Sequence, residues 1–471
     1  MDPATLTSPL GGRLRLVTLD NPPVNSLGHA LRHHLVAALD AAEADPDCSG
    51  IVVTGAGKLF CAGADAREFG TPASTRSPDL RQVLARLFAC RKPVVAAIHG
   101  AALGGGLELA MACHYRVAAS AAKLGLPEVN LGLIPGAWGT QMLPRLTGMD
   151  VAVDLIARGR TVTAQTGAEA GLVDSVAPPG LSLLDAAAAF FDTVADRAEH
   201  PDIRQCSVTA PEAIDLWLAT QESRLSVDFP GCPAPLAAAR AVALAATLPF
   251  YEAVILERQA FVDLMASPES AALRHIFFAE RECARVPDTK LRPATGPIKV
   301  SATPGSADVA FLLVAALGPA ADGAPLLELL EPVSVPATGT TVVPARLTSG
   351  AGVSCGLALA LRGGRVACVE ASSANLEGLP TVLGLAQRLG APVVCTPAPA
   401  GGSALAAAAI AAHTAITRAK AEERIAETLR NGHFHRAADG DVLAVHGFSY
   451  PRHLGGPLYQ AGLLQTKEPR R

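Results

Sequence analysis

Charge is scarce in this chain: 17% of its 471 residues are Asp, Glu, Lys or Arg, and the formal net charge is −4. The cationic residues are scattered and form no stripe, so no nucleic-acid partner is expected. The ten cysteines include no Cys-x-x-Cys pair and no regular spacing, which speaks against a disulfide framework or a zinc site; no metal is expected. Half of the residues are hydrophobic, yet long apolar runs are missing. A membrane span needs roughly 18 uninterrupted apolar residues. The nearest approach, 94–112, is broken by His99, a glycine run and Glu108, so no membrane partner is expected either. The first residues, Met1-Asp2-Pro3, lack the basic and apolar regions of a signal peptide, and the last, Glu468-Pro469-Arg470-Arg471, differ from a Ser-Lys-Leu peroxisomal address. A cytoplasmic protein with reduced thiols is the expectation.

What is present is organised in blocks, and a length prior of about 150 residues per domain suggests two or three domains. In the first third, short apolar strands alternate with helical segments. Residues 13–19 alternate with period two, while 50–55 and 93–98 are continuous apolar runs of strand length. Between the first two, 29–43 carries apolar residues at helical spacing, with Arg32, His33 and His34 on a polar face. Strand, helix, strand in this order predicts an α/β fold with parallel strands. From about Leu183 the chain turns to Ala/Leu-rich helices, including amphipathic segments over 249–264 and 268–284. Residues 287–304 contain four prolines and read as a linker. Beyond them, 305–412 is rich in Ala, Leu, Val, Gly and Pro, and a charged helix is expected over about 415–431. This part is too apolar for a disordered tail.

The most informative stretch is His99-Gly-Ala-Ala-Leu-Gly-Gly-Gly-Leu-Glu108, which leads from a strand into a helix. Successive glycines carry an entropic cost, so they imply a tight turn or the close approach of a ligand to the backbone. Amides at a helix start suit a developing oxyanion. Glu108 stands among Leu107, Leu109, Ala110 and Met111, and a charge in such a run needs a partner or a task. Glu128 is set among Leu126, Val129 and Leu131, where desolvation would raise its pKa; by itself this segment also permits a surface or N-capping glutamate.

Taken together, the motifs of residues 1 to about 287 resemble the crotonase (enoyl-CoA hydratase/isomerase) superfamily, and most closely the hydratase half of bifunctional β-oxidation enzymes. The resemblance is carried by Asn21-Pro-Pro-Val-Asn-Ser-Leu27, Phe60-Cys-Ala-Gly-Ala-Asp65, Gly104-Gly-Gly-Leu-Glu108, Pro127-Glu-Val-Asn-Leu-Gly132 and Pro135-Gly-Ala-Trp-Gly-Thr-Gln141, followed by the stretches at 143–148 and 164–174. It implies a ClpP-like ββα spiral, an acyl-CoA thioester substrate and no cofactor apart from the coenzyme A of that substrate. It implies an oxyanion hole from the N–H groups of Ala64 and Gly105. Glu108 would activate water, and Glu128 would supply the α-carbon proton. Ala62, Asp65, Gly104 and Gly136 would line the substrate. Trp138 departs from the family, which usually has Gly or Arg there, and either shapes the acyl pocket or packs on the next helix. Hydration is the implied reaction, with Δ3,Δ2-enoyl-CoA isomerisation as a second activity. Other thioester enolate chemistry and a non-catalytic acyl-CoA-binding scaffold are the alternatives.

In bifunctional relatives a 3-hydroxyacyl-CoA dehydrogenase follows. The segments 267–281 and 441–457 resemble its linking helix and a late motif, but the glycine fingerprint of a dinucleotide site is missing. After the strand-like 298–302 stands Thr303-Pro-Gly-Ser-Ala-Asp308 instead. The expected organisation is therefore a crotonase core over 1–190, its C-terminal helices and linking helix over 191–286, and a linker over 287–304. An eroded dinucleotide-fold-like region over 305–412 and a helical remnant over 413–471 complete it. NAD binding is not expected, His433 and His435 read as a surface loop, and His446 as structural. The chain is expected to be a monomer or homo-oligomer.

Overall fold

The computed structural model describes residues 4–10, 12–69, 71–283, 293–294, 298–317, 324–330, 332–335, 340–348, 354–363, 365–372, 379–396, 434, 436–448 and 450–460. The chain divides between Ser267 and Pro268 into two compact units. Among the described residues, no helix is long and apolar enough to cross a membrane.

The first unit is built on a six-stranded sheet. Strands β1 (Ala4–Leu10), β2 (Leu14–Leu19), β3 (Gly50–Gly55) and β4 (Val94–Ile98) lie side by side. Strand β5 (Ala101–Leu103) leaves for a second, three-stranded sheet. Strand β6 (Tyr115–Ala118) returns beside β4, β7 (Lys123–Gly125) joins β5, β8 (Thr161–Thr163) pairs with β7, and β9 (Ser175–Val176) closes the first sheet. All first-sheet pairs from β2 onward are parallel. Strand β4 feeds β5 and then a helix, so one ββα unit contributes a strand to each sheet. A bridge between Cys61 and Ala102 ties the turn after β3 to the same second sheet. This is the expected spiral.

Strand β2 alternates in sequence but is covered on both faces. Val17 and Leu19 pack in one apolar cluster, and Leu14 and Leu16 in another. Helix α1 (His29–Ala44) covers the expected span, but Arg32 is not on its solvent face. It is 3% exposed, pairs with Glu68 at 2.9 Å, and donates to the carbonyls of Leu27, Ala73 and Pro78. A guanidinium with so many acceptors is buried satisfied, which residue spacing alone does not reveal.

The second unit begins with the linking helix, Pro268–Glu282, which packs on a helix over Ala437–Phe448. Sequence reading grouped that helix with the preceding part. Strand β10 (Lys299–Ala302) falls inside the expected linker and pairs in parallel with β11 (Leu326–Leu329). Strands β12 (Val333–Val335), β13 (Thr340–Thr348), β14 (Ser354–Arg362), β15 (Arg365–Ser372) and β16 (Val393–Thr396) complete a seven-stranded sheet. The unit is α/β, as expected. Its sheet is not that of a dinucleotide fold, however: β11, β13, β14 and β15 run as an antiparallel meander, and parallel pairs occur only at the two ends. The physical reason is the length of the connections. Only residues 363–364 separate β14 from β15, whereas a parallel crossover needs a dozen or more. His446 bonds Glu280 at 2.6 Å, as befits a structural residue. The expected helix over 415–431 and both His433 and His435 lie outside the described residues.

Candidate active site

The helix following β5, α2 (Gly105–Ala112), begins directly at the glycine run. Gly104 has φ 51° and ψ −129°, a conformation that a side chain would strain. A Cβ there would also stand 3.0 Å from Glu128 Oε1. The turn after β3 comes up against this helix start. A Cβ on Gly105 would lie 3.1 Å from the Ala64 nitrogen, and one on Gly63 would lie 3.2 Å from the Gly105 nitrogen. Gly105 opens the helix, where backbone N–H groups have no intrahelical partner. The two expected oxyanion donors, Ala64 and Gly105, are thus neighbours in space, brought together from 41 positions apart in the chain.

Glu108 lies in the first turn of α2, is 2% exposed, and accepts through one oxygen, Oε1, from Ala137 N–H and Gly139 N–H, each at 2.9 Å. A Cβ on Gly139 would stand 2.8 Å from that oxygen, so the glycine is what lets the carboxylate reach the backbone. Glu128 opens a short 3-10 turn, Glu128–Leu131. Its Oε2 is shut away from solvent and has no hydrogen-bond partner among the described residues.

Burial pushes both carboxyls up. For Glu108 the Ala137 and Gly139 amides oppose the rise. For Glu128 burial is reinforced by the charges of Glu108 and Glu257, with a single backbone bond in opposition. Glu108 is therefore the member of the pair that ionises more readily, and Glu128 the one that keeps its proton. The pairing of an acid with a base depends on such a difference.

The remaining expected residues are placed as follows. Ala62 N–H donates to the Val24 carbonyl at 3.0 Å, which fixes the turn. Asp65 is held by Arg67 at 2.6 Å, and Arg67 keeps its carboxyl below the usual range. A Cβ on Gly136 would sit 2.6 Å from the Phe261 ring. Trp138 adopts φ 76° at the start of helix α3 (Gly139–Thr147). Its indole stacks on Phe88 at 6.0 Å and meets Phe250 edge-on at 6.0 Å. It packs, and it also borders a cavity of about 600 Å³ with Val254, Ile255 and Arg258. No group of three or more His, Cys, Asp or Glu positioned to hold a metal occurs among the described residues.

Sequence reading missed Glu257. This fully buried residue on helix α4 (Phe250–Met265) accepts from Trp138 N–H at 2.7 Å, from Thr140 N–H at 3.0 Å and from the Thr140 hydroxyl at 2.5 Å. Burial and the charge of Glu108 push its carboxyl up to about 8, against the donors on Thr140 and Trp138. The local sequence points both ways: Ala253, Val254, Ile255 and Leu256 precede it, but Arg258 and Gln259 follow, so it lacks the apolar surroundings on both sides that singled out Glu108.

A family model described as enoyl-CoA hydratase/isomerase matches residues 12–205. The chain is 41% identical over 267 residues to the peroxisomal bifunctional enzyme of Danio rerio, covering 56% of this chain and 36% of that protein. Against the Homo sapiens peroxisomal bifunctional enzyme it is 40% identical over 275 residues, 58% of this chain and 38% of that protein. It is also 42% identical over 188 residues to a probable enoyl-CoA hydratase of Bacillus subtilis (strain 168), 39% of this chain and 73% of that protein. The chain thus spans little more than a third of the length of the bifunctional relatives it matches. With a glycine-led helix start and buried carboxylates at its site, and with 73% of the Bacillus subtilis relative covered at 42% identity, this chain belongs to the enoyl-CoA hydratase/isomerase family.

Proposed function

We propose that this protein is an enoyl-CoA hydratase, with Glu108 as the base and Glu128 as the acid. The observation that carries this reading is the pair of buried carboxyls beside the Gly104–Gly105 helix start, one tied to two backbone amides and the other with an unpartnered oxygen. In the forward direction Glu108 takes a proton from water, and the oxygen bonds to the β-carbon of the enoyl thioester. The π electrons move to the thioester oxygen, where the Ala64 and Gly105 amides stabilise the enolate. As the enolate collapses, Glu128 gives its proton to the α-carbon. Desolvation suits both tasks, because it keeps Glu128 protonated and makes the Glu108 carboxylate a stronger base.

The test is hydration of crotonyl-CoA by the wild type and by Glu108→Gln. Loss of about 10²- to 10⁴-fold in kcat is expected, the usual contribution of a positioned acid or base. Unchanged hydration by the variant would remove Glu108 from the mechanism, and an inactive wild type across short, medium and branched enoyl-CoAs would remove the reading itself.

For the second unit we infer that NAD is not held. Three features support this. The turn after β10 is Thr303 followed by Pro304-Gly305-Ser306, where Pro304 has no N–H to offer a pyrophosphate. Asp308 places negative charge in the first turn of the following helix. The sheet is mixed. Titration with NAD, followed by calorimetry, should give no binding heat. The cytoplasmic location likewise stands as a proposal, to be decided by microscopy of the tagged chain beside a peroxisomal marker.

A further inference from the structure

The turn before α3 distributes four successive amides between two carboxylates. Ala137 and Gly139 donate to Glu108, while Trp138 and Thr140 donate to Glu257. Glu257 comes from a helix more than a hundred residues later, and its second oxygen also takes the Thr140 hydroxyl. One helical turn farther along α4, Phe261 lies against Gly136 of the same turn. One face of α4 therefore clamps both ends of the segment that holds Glu108.

We propose that Glu257 is a positioning residue of the hydration site: by occupying the two amides that Glu108 leaves free, it holds the 136–140 turn so that Glu108 is aimed at substrate. This inference rests on the hydratase reading above. The turn needs holding, because Trp138 sits at φ 76°, a backbone region that bulky residues rarely adopt. A carboxylate suits the task better than an amide. Every group facing Glu257 in the turn is a donor, and a glutamine would turn its own NH₂ against one of them. An ionisable carboxyl is also an expensive choice for a purely structural pin, since it is fully buried, forms no ion pair to Lys or Arg among the described residues, and ionises only toward about pH 8. Its location beside Glu108 gives that expense a purpose, because the same four amides then define the position and charge environment of the base.

The test compares steady-state kinetics of wild type, Glu257→Gln, Thr140→Val and Thr140→Ser on crotonyl-CoA, with hydrogen exchange of the 135–142 segment measured on each. Glu257→Gln should lower kcat by about 10- to 100-fold, the effect of a small misplacement of a reacting group, with KM held within about threefold. Thr140→Val should give a loss of about 3- to 10-fold in kcat, and Thr140→Ser should restore it. In a double-mutant cycle, adding Glu257→Gln to Glu108→Gln should change the residual rate by less than about threefold, because a residue acting through Glu108 has nothing left to position. Full multiplication of the two effects would overturn the proposal, as would wild-type kcat in both Glu257→Gln and Thr140→Val. If Glu257→Gln does not fold, the Thr140 pair decides the matter. If the wild type has no hydratase activity, the functional reading falls separately. Exchange of the 135–142 amides then decides whether Glu257 holds the turn, with unchanged exchange in Glu257→Gln overturning that too.

Discussion

Glu257 in the first unit and Glu280 in the second are both glutamates withdrawn from solvent on long helices, yet they titrate in opposite directions. Glu257 meets only neutral donors, from Trp138 and Thr140, and is pushed up to about 8 by burial and by Glu108. Glu280 is also pushed up by burial, but hydrogen bonds from His446 and Arg452 outweigh it and bring the carboxyl down to about 2. Neutral amides hold a carboxylate without fixing its proton, whereas cations fix it as an anion. The first arrangement suits proton transfer and the second suits a brace. The same contrast separates the Glu108–Glu128 pair from Asp65, which the Arg67 guanidinium holds below the usual carboxylate range.

The comparison breaks most readily at the proposed acid–base pair. Glu128→Gln is expected to lower hydration by about 10²- to 10⁴-fold, because the amide has no proton to give to the α-carbon; an unaffected rate would mean that the acid lies elsewhere. Gly139→Ala should come next. Its Cβ would meet Glu108 Oε1 at 2.8 Å and Pro135 at 2.7 Å, so kcat should drop on the order of 10²-fold while the protein stays folded by circular dichroism.

Glu280→Gln should do the opposite, leaving kcat within about twofold and lowering stability by about 1–2 kcal/mol. That value is an intermediate one, because the Glu280 side chain is 22% exposed and Arg452 is 34% exposed. Thermal unfolding reads the difference, at roughly 2–4 °C per kcal/mol.

A further effect is one of pH, and its sign differs between the units. With a folded-state pKa near 8, Glu257 retains in the native state a proton that the unfolded chain has already released above about pH 4.5. Its contribution to stability therefore falls as pH rises from about 4.5 to 8, on the order of 1 kcal/mol per pH unit. Melting curves of Glu257→Gln should be flatter than wild type over that window. Glu280, depressed to about 2, contributes stability above about pH 4.5 that is lost as pH falls toward 2. Glu280→Gln should thus flatten the acid side alone. Matching slopes in the two variants would dissolve the distinction drawn here.

How much of this was legible in the sequence depended on distance along the chain. Glu108 and Gly104 could be found because the glycine run, the strand before it and the apolar helix after it are adjacent, and adjacency is what patterns record. Glu257 was lost because Arg258 and Gln259 follow it and Glu252 precedes it, so it reads as one more residue of a polar helix face. What buries it is the turn at 138–140, a contact with no local signature. Arg32 failed for the same reason, since its partners at 68, 73 and 78 arrive from a later segment. In the second unit the apolar run over 340–372 concealed its hairpins, because continuous hydrophobicity fits parallel and antiparallel strands alike until the two-residue connection at 363–364 is weighed.

The clamp on the 136–140 turn has a consequence for the order of events on the ribosome. The sheet and Glu108 are complete in sequence by residue 176, but the helix that steadies the base ends at Met265. On the proposed reading, a nascent chain folds its sheet well before Glu108 is held in place, which waits until α4 has emerged and docked. A chain interrupted between residues 180 and 250 would contain Glu108, Glu128 and the Ala64 and Gly105 amides, yet would hold its proposed base on an unlatched loop.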